Sequence, residues 1–266
     1  MDLSIVILNY KSAGLTKQCV KTLMLCRPDL EHEIIVVDND SRDGVEAALK
    51  SRFPSVRFIQ TGANLGFAAG NNAGIRASRG RYVLILNPDI TVRPGAIEAM
   101  FRHMEGNRDI GIMGPRLLKP DGSVDESCYA YPRPITPVAR RTPLGRTGLG
   151  RREVGRYLMD GYDRRSTREV DWLLGAVLMV RREAIDRVGL FDERYFLYFE
   201  DTDWCRRFRS SGWRVVYFAG SEMVHLHERL SAGSPWYLAP LNKAARIHLS
   251  SCVKYFLKWR GEKVEA

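Results

Sequence analysis

Two acidic clusters in this chain stand where secondary structure has to stop or start. The first, Asn87-Pro88-Asp89, ends the unbroken apolar run Tyr82-Val83-Leu84-Ile85-Leu86. A parallel sheet carries its ligand groups at the carboxyl ends of its strands. A carboxylate there is well placed to hold a divalent cation against a diphosphate. The second, Glu200-Asp201-Thr202-Asp203, follows the aromatic stretch Tyr195-Phe196-Leu197-Tyr198-Phe199. Asp201 or Thr202 could cap a helix over 204–208, and acidic residues in a first turn suit the helix dipole. Capping leaves the aromatic wall unexplained. That wall would desolvate Glu200 and Asp201 and raise a carboxyl pKa towards that of a working general base. Further on, Val224-His225-Leu226-His227 points two imidazoles to one face of an extended segment. A lone histidine is usually structural, but either ring is also a candidate ligand for a manganese-like ion held by Asp89.

The elements that must position these groups are legible from apolar runs and breakers. Residues 3–8 and 33–37 are β-branched runs flanking a segment with helical spacing (Leu15, Cys19, Thr22, Leu23). A helix around 45–49, a weak strand at 56–59, a helix near 71–77 and the strand 82–86 follow. Strands alternating with helices predict a largely parallel sheet covered on both faces. The first strand ends in Leu8-Asn9-Tyr10 and the second in Asp38-Asn39-Asp40-Ser41, so both deliver polar groups to one sheet edge. An aspartate there can accept from a base imide N–H, or it can serve as a helix cap. Between strands lies Asn64-Leu65-Gly66-Phe67-Ala68-Ala69-Gly70-Asn71-Asn72, small residues that let backbone approach a ligand before a helix begins. Position gives this loop its weight, because it precedes Asn87-Pro88-Asp89.

The chain has 266 residues, 45% hydrophobic and 27% charged, enough for one sizeable core. Five cysteines show neither a CxxC pair nor a zinc spacing, which fits a reducing cytoplasm. The N-terminus enters a strand pattern at once, and no apolar run approaches the roughly 20 residues of a membrane span. Of the formal net charge of +10, most lies between Arg133 and Arg168, where ten arginines stand against three carboxylates. Proline, glycine and the lack of sustained periodicity make this stretch read as a long mobile loop. It is either a solvated linker or a flap meeting phosphates or an anionic lipid-linked acceptor. Without interleaved aromatics it does not read as a nucleic-acid surface. The tail from Pro235 to Trp259 carries a helical stripe (Leu238, Leu241, Ala245, Leu249, Cys252, Phe256, Trp259). Such a stripe packs on the core or a second subunit, or lies on anionic lipid.

Taken in order, Ser4-Ile5-Val6-Ile7-Leu8-Asn9-Tyr10, Val37-Asp38-Asn39-Asp40-Ser41, Asn64 to Asn72, Leu86-Asn87-Pro88-Asp89, Gly175-Ala176 and Phe199-Glu200-Asp201-Thr202-Asp203-Trp204 resemble the family 2 glycosyltransferases of the GT-A fold. Among them the chain is most similar to rhamnosyltransferase-type members of bacterial polysaccharide assembly. The resemblance covers roughly residues 3 to 230. It implies an α/β, Rossmann-like, mostly parallel sheet and an inverting transferase using a nucleoside-diphosphate sugar with Mg2+ or Mn2+. The favoured donor is dTDP-rhamnose, with a UDP-sugar as the other choice. The acceptor is a saccharide, free or carried on a polyprenyl diphosphate. By the same resemblance Asp38 contacts the base, and Leu8, Asn9 and Tyr10 line its pocket. Asn64, Gly66, Phe67 and Asn71 face the nucleotide, together with Asn87 and Pro88. Asp89 is the metal-binding carboxylate of the DXD motif, with His225 as a second ligand. Asp201 is the base beside Glu200, and Trp172, Gly175, Ala176 and Glu200 border the sugars. One departure is Asn87 at the first DXD position, which leaves one anionic ligand fewer.

The expected organisation is a catalytic domain over 1–230, divided into a nucleotide-binding half (1–90) and an acceptor-binding half (91–230), followed by a helical tail (231–266). The expected location is the cytoplasm, with peripheral contact on the inner face of the plasma membrane and a homodimer both open. A nucleotidyltransferase would also pair a parallel sheet with a metal-binding aspartate, but would begin with a Gly-rich basic loop where Asn9-Tyr10-Lys11-Ser12 stands. A non-catalytic nucleotide-sugar-binding module would need no Glu200-Asp201 cluster.

Overall fold

The β-branched runs of the first half form one side of a nine-stranded sheet. The computed structural model describes residues 1–26, 28–226 and 242–261. Four strands pair in parallel in the order β3-β2-β1-β4: β1 (Leu3–Asn9), β2 (His32–Asp38), β3 (Arg57–Gln60) and β4 (Tyr82–Leu86). Between them run α1 (Ala13–Cys26), α2 (Val45–Arg52) and α3 (Gly66–Ala77). Every residue of β1 is buried because both faces of the strand are covered. Ile5 and Ile7 meet Cys19 and Leu23 of α1 on one face, while Val6 and Leu8 meet Ala68 and Ile75 of α3 on the other.

Past β4 the sheet becomes mixed. The second half supplies β5 (Ile90–Val92), α4 (Ala96–Gly106), β6 (Ile110–Leu118), β7 (Cys128–Tyr129), β8 (Arg168–Glu169), β9 (Trp172–Leu173), β10 (Val177–Arg181), α7 (Arg182–Val188), α8 (Glu200–Ser210) and β11 (Arg214–His225). β10 lies antiparallel between β4 and β6, β11 runs parallel to β6, and β5 and β8 pair antiparallel with β11. The apolar run 172–180 is therefore two strands, β9 and β10, separated by Leu174-Gly175-Ala176.

Two sequence expectations are corrected. The glycine-rich segment 64–74 is mostly helix, since α3 begins at Gly66. A Cβ at Gly70 would lie 2.6 Å from Leu8 Cδ1, and one at Gly74 would collide with Val6, so these two glycines seat α3 on β1. The arginine-rich stretch is not an irregular loop: it holds α5 (Thr136–Arg141), a 3-10 turn over Pro143–Arg146 and α6 (Gly148–Leu158). Its breakers do local work, because Thr142 and Thr147 accept from Leu144 N and Gly150 N, and Gly145 and Gly150 leave no room for a Cβ. Of the helical stripe expected from Pro235 to Trp259, the described residues hold α9 (Lys243–Lys258). Pro235, Trp236, Leu238, Leu241, His227 and the boundary at 230 lie outside the described residues.

The helix α9 packs on the catalytic half. Tyr255, Cys252 and Trp259 form a cluster with Tyr195 and Phe199. Asp203 of α8 anchors its end, accepting from Trp259 Nε1 and Lys258 Nζ at 2.8 Å and from Arg207 Nε at 2.9 Å. The stacking of Arg206 over Trp259 closes the joint at 4.2 Å. Among the described residues no helix is long and apolar enough to cross a membrane.

Candidate active site

The parallel pairing of β1 and β2 sets Asn9 beside Asp38 at the sheet edge. Asp38 is buried, and its oxygens accept from Asn9 Nδ2 at 2.7 Å, Gln60 Nε2 at 2.9 Å and Ser41 N at 3.1 Å. Burial pushes the carboxyl up, but the bonds from Ser41, Asn9 and Gln60 outweigh it and hold the group below the usual range. Asp38 is thus fixed and charged. Asn9 acts as its brace: Nδ2 also donates to Ser41 Oγ at 2.9 Å, while Oδ1 accepts from Thr16 at 2.7 Å and Ser12 at 3.0 Å. Leu8 is core beneath Gly70, whereas the Tyr10 ring stands 44% exposed at the mouth.

A second polar joint ties β2 to the loop before α3. Asn39 Nδ2 donates to Asn64 Oδ1 and to Gly66 O, both at 3.0 Å, and its Oδ1 accepts from Leu65 N at 2.9 Å. Gly66 has φ +85°, and a Cβ there would strike the Phe196 carbonyl. Phe67 N donates to that same carbonyl at 2.7 Å. This loop is therefore locked to the aromatic stretch that precedes the second acidic cluster. Asn71 is buried with Nδ2 on Phe67 O at 3.0 Å and Oδ1 without a partner.

The two acidic clusters meet through two adjacent residues. Gly175 N donates to Asp201 Oδ2 at 3.0 Å, and Asn87 N donates to Ala176 O at 2.8 Å. A Cβ on Gly175 would lie 3.4 Å from both Asp201 Cβ and Phe67 Cζ, so this glycine sits at the meeting point of the three segments. From Asn87 the chain turns through Pro88 to Asp89, whose side chain is 21% exposed. Its Oδ1 has no partner among the described residues, and its Oδ2 lies 3.4 Å from His225 Nε2. The other nitrogen of His225 lies 3.0 Å from Asp125 Oδ2. Burial would lower the His225 pKa, but Asp125 and Asp89 outweigh it and raise it to about 9.

Sequence reasoning missed Asp125. It is one of three acids, with Asp121 and Glu126, in the turn between β6 and β7, and the turn is pinned by Asp125 N on Leu117 O at 2.8 Å. With the Nδ1 proton on Asp125, Nε2 is turned to Asp89, the carboxylate–histidine arrangement common around metal-binding imidazoles. No group of three metal-binding side chains clusters among the described residues. The donor set is Asp89, whose free oxygen is buried, and His225. Such a pair fits a Mg2+ or Mn2+ ion that takes its remaining ligands from diphosphate oxygens and water.

At the second cluster, Tyr198 and Phe199 both adopt left-handed backbone, φ 69° and 68°. For bulky side chains this costs on the order of 1–3 kcal/mol each and occurs mainly at functional sites. It turns the chain so that α8 opens on Glu200 and Asp201, with Phe199 as N-cap and no side-chain cap, so Asp201 and Thr202 are not the cap residues. Both carboxyls are buried. Desolvation raises both; the Asp201 charge raises Glu200 further, while bonds from Gly175 N and from Thr202 N at 2.7 Å favour ionised Asp201. Asp201 ionises first and Glu200, whose Oε2 has no partner, keeps its proton longer. The third acid, Asp203, belongs to the α9 anchor. Trp172 is not brought to the site surface: its ring stacks on Tyr129 at 4.5 Å and its Nε1 donates to Ala130 O at 3.1 Å.

A family model described as Glycosyl transferase family 2 matches residues 4–146. An N-acetylglucosaminyl-diphospho-decaprenol L-rhamnosyltransferase of Mycobacterium tuberculosis is 35% identical over 231 residues, covering 82% of this chain and 74% of its own. The chain belongs to glycosyl transferase family 2. The rhamnosyltransferase WbbL of Escherichia coli K12 is 24% identical, covering 96% of this chain and 93% of its own. Among solved structures, GalNAc-T7 with UDP, GalNAc and Mn2+ superposes with a TM-score of 0.65 at 14% identity, over 98% of this chain. Staphylococcus aureus TarS with UDP gives 0.55 at 13% over 84%. This family 2 chain spans 48% of the GalNAc-T7 chain and 60% of the TarS chain. The likeness gives the fold, which is GT-A, and the family match spans the ordered motifs from Ser4 to Asp89.

Proposed function

We propose that this family 2 protein is an inverting transferase that moves rhamnose from a nucleoside-diphosphate donor to a hydroxyl of a saccharide on a polyprenyl diphosphate. The observation that carries this reading is the Gly175-Ala176 bridge. One residue holds the candidate base Asp201 at 3.0 Å and the next holds Asn87 of the candidate metal loop at 2.8 Å. Groups 112 residues apart thereby border one site, as 201 less 89 gives.

In this reading Asp38 accepts the imide N–H of the base and the Tyr10 ring lies against it. Thymine and uracil both carry that N–H, so Asp38 does not separate dTDP- from UDP-sugars. The names of the mycobacterial and Escherichia coli relatives favour rhamnose, and the former favours a lipid-linked N-acetylglucosamine acceptor. Asp89 and His225 would hold a divalent ion, which when bound neutralises charge developing on the departing diphosphate oxygen. Asp201 takes the proton from the acceptor hydroxyl as that oxygen attacks the anomeric carbon and the bond to diphosphate breaks. Attack from the face opposite the leaving group inverts the centre. Glu200, slower to ionise, keeps a second negative charge away from the base.

The test is a transfer assay with dTDP-rhamnose and UDP-sugars, Mg2+ or Mn2+, and polyprenyl-diphosphate N-acetylglucosamine. We expect a rhamnosylated lipid product of inverted anomeric configuration by NMR. Absence of transfer from every donor, with no thermal shift on adding nucleotide sugars, rejects the reading.

A further inference from the structure

The arginine-rich helices carry a surface that the transfer chemistry does not use. Their inner side is anchored: buried Glu153 accepts from Thr136 Oγ1 and from Arg156 Nη2 at 2.7 Å, and Tyr157 stacks on Tyr129 at 5.3 Å. Their outer side combines two features. Leu149 is 79% exposed at the start of α6, near the exposed Val138 and Leu144. Arg146, Arg151 and Arg152, each within three residues of Leu149 along the chain, are exposed and without an ion pair among the described residues. The one acid between 133 and 156, Glu153, faces inward, so every exposed charge on this knuckle is an arginine.

We infer that the α5–α6 knuckle docks on an anionic bilayer, with Leu149 and Leu144 entering the boundary of headgroups and acyl chains and Arg146, Arg151 and Arg152 on lipid phosphates. Exposed leucines interspersed with arginines match a surface that is negative at its rim and apolar beneath, as interfacial helices do. A water-facing role would need the arginines but not the leucines. The knuckle adjoins the candidate base: the charge of Asp201 is felt by Tyr157 of α6, whose ring stacks on Tyr129. Docking there would bring a membrane-borne diphosphate acceptor to the flank of the site. This deepens the lipid-linked acceptor reading and rests on it for its purpose, though not for its measurement.

The experiment is co-sedimentation of the full chain with vesicles of phosphatidylglycerol and phosphatidylcholine, against phosphatidylcholine alone. Wild type should pellet with the anionic vesicles only. The triple variant Arg146→Gln, Arg151→Gln, Arg152→Gln should lose roughly 100-fold in partitioning, since each basic residue near an anionic surface contributes about a fivefold factor. Leu149→Glu should also lose binding, with melting temperatures unchanged because the side chains are exposed. Transfer to a water-soluble acceptor should persist in both variants while transfer to a vesicle-borne acceptor falls. Wild type remaining in the supernatant, or the triple variant pelleting like wild type, overturns the proposal. So does a dimer broken by Leu149→Glu without vesicle binding, which would assign the surface to a second copy. Intact, arginine-dependent vesicle binding without any transfer supports docking and sinks the transferase reading alone.

Discussion

Asp38 and the Glu200-Asp201 pair are all buried acids at the ends of elements, yet their surroundings push them in opposite directions. Asp38 is surrounded by donors from Asn9, Ser41 and Gln60 and lies below the usual carboxylate range. Asp201 accepts from Gly175 N and Thr202 N, but it lies beside Glu200 and both carboxyls are raised, first by burial and, for Glu200, next by the Asp201 charge. What separates the acids is the balance between desolvation and the hydrogen bonds that reach each one. The parallel half of the sheet supplies those donors because adjacent strands end in register. In the second half a turn with left-handed Tyr198 and Phe199 opens α8 on two adjacent carboxyls, and their burial outweighs the bonds that Asp201 accepts.

The strongest way to break this contrast is at Asp201. Asp201→Asn should lower turnover by about 10²- to 10⁴-fold, the usual worth of a positioned base, with nucleotide affinity by calorimetry unchanged. Near-normal turnover would remove Asp201 from the role. In wild type, the acid limb of the rate profile should lie above the ordinary carboxylate range, because activity needs the ionised form and the pKa is raised.

Asp38→Asn should show the opposite signature, weaker donor binding with little change in kcat. Charge-assisted hydrogen bonds of about 1.5–3 kcal/mol are at stake. A kcat effect without a KM effect would erase the distinction between the two halves.

A smaller change sharpens the metal side. Asp125→Asn should weaken Mn2+ affinity about 10- to 100-fold by calorimetry in the presence of nucleotide diphosphate, through loss of the bond that orients His225. Unchanged affinity would leave Asp125 with a purely structural part.

The smallest effect is expected at α9, which packs on Tyr195 and Phe199 ahead of α8. Burial, with Arg141 and Arg140 nearby, lowers the His248 pKa to about 3. Unfolded His248 binds a proton near 6.5 that the folded chain refuses, so stability is lost as pH falls from about 6.5 towards 3. At pH 5 the loss is at most about 2 kcal/mol. His248→Gln should remove that part of the difference between urea midpoints at pH 7.5 and 5.0; an unaltered difference would show that His248 is not the group responsible.

The parallel half was legible because its signals are local. An apolar run of four or five residues followed by Asn or Asp reads as a buried strand and its edge, and β1, β2 and β4 fall where that reading puts them. The arginine stretch failed for a matching reason. Its threonines and glycines look like breakers, but Thr142 and Thr147 serve as caps and Gly145 and Gly150 permit close helix packing. The same ambiguity hid the helical character of 66–70, the first turn of α3.

Residue types and order alone determined the strand-ending acids, the aromatic stretch before Glu200, and the family they resemble. Only the tertiary structure decided which polar groups are braces and which face the site. Asn9 became a support for Asp38, Asp203 an anchor for α9 and Trp172 a buried wall, while Asp125 joined His225. Each of those outcomes depends on a hydrogen-bond or stacking partner distant along the chain, and no local pattern of side chains encodes it.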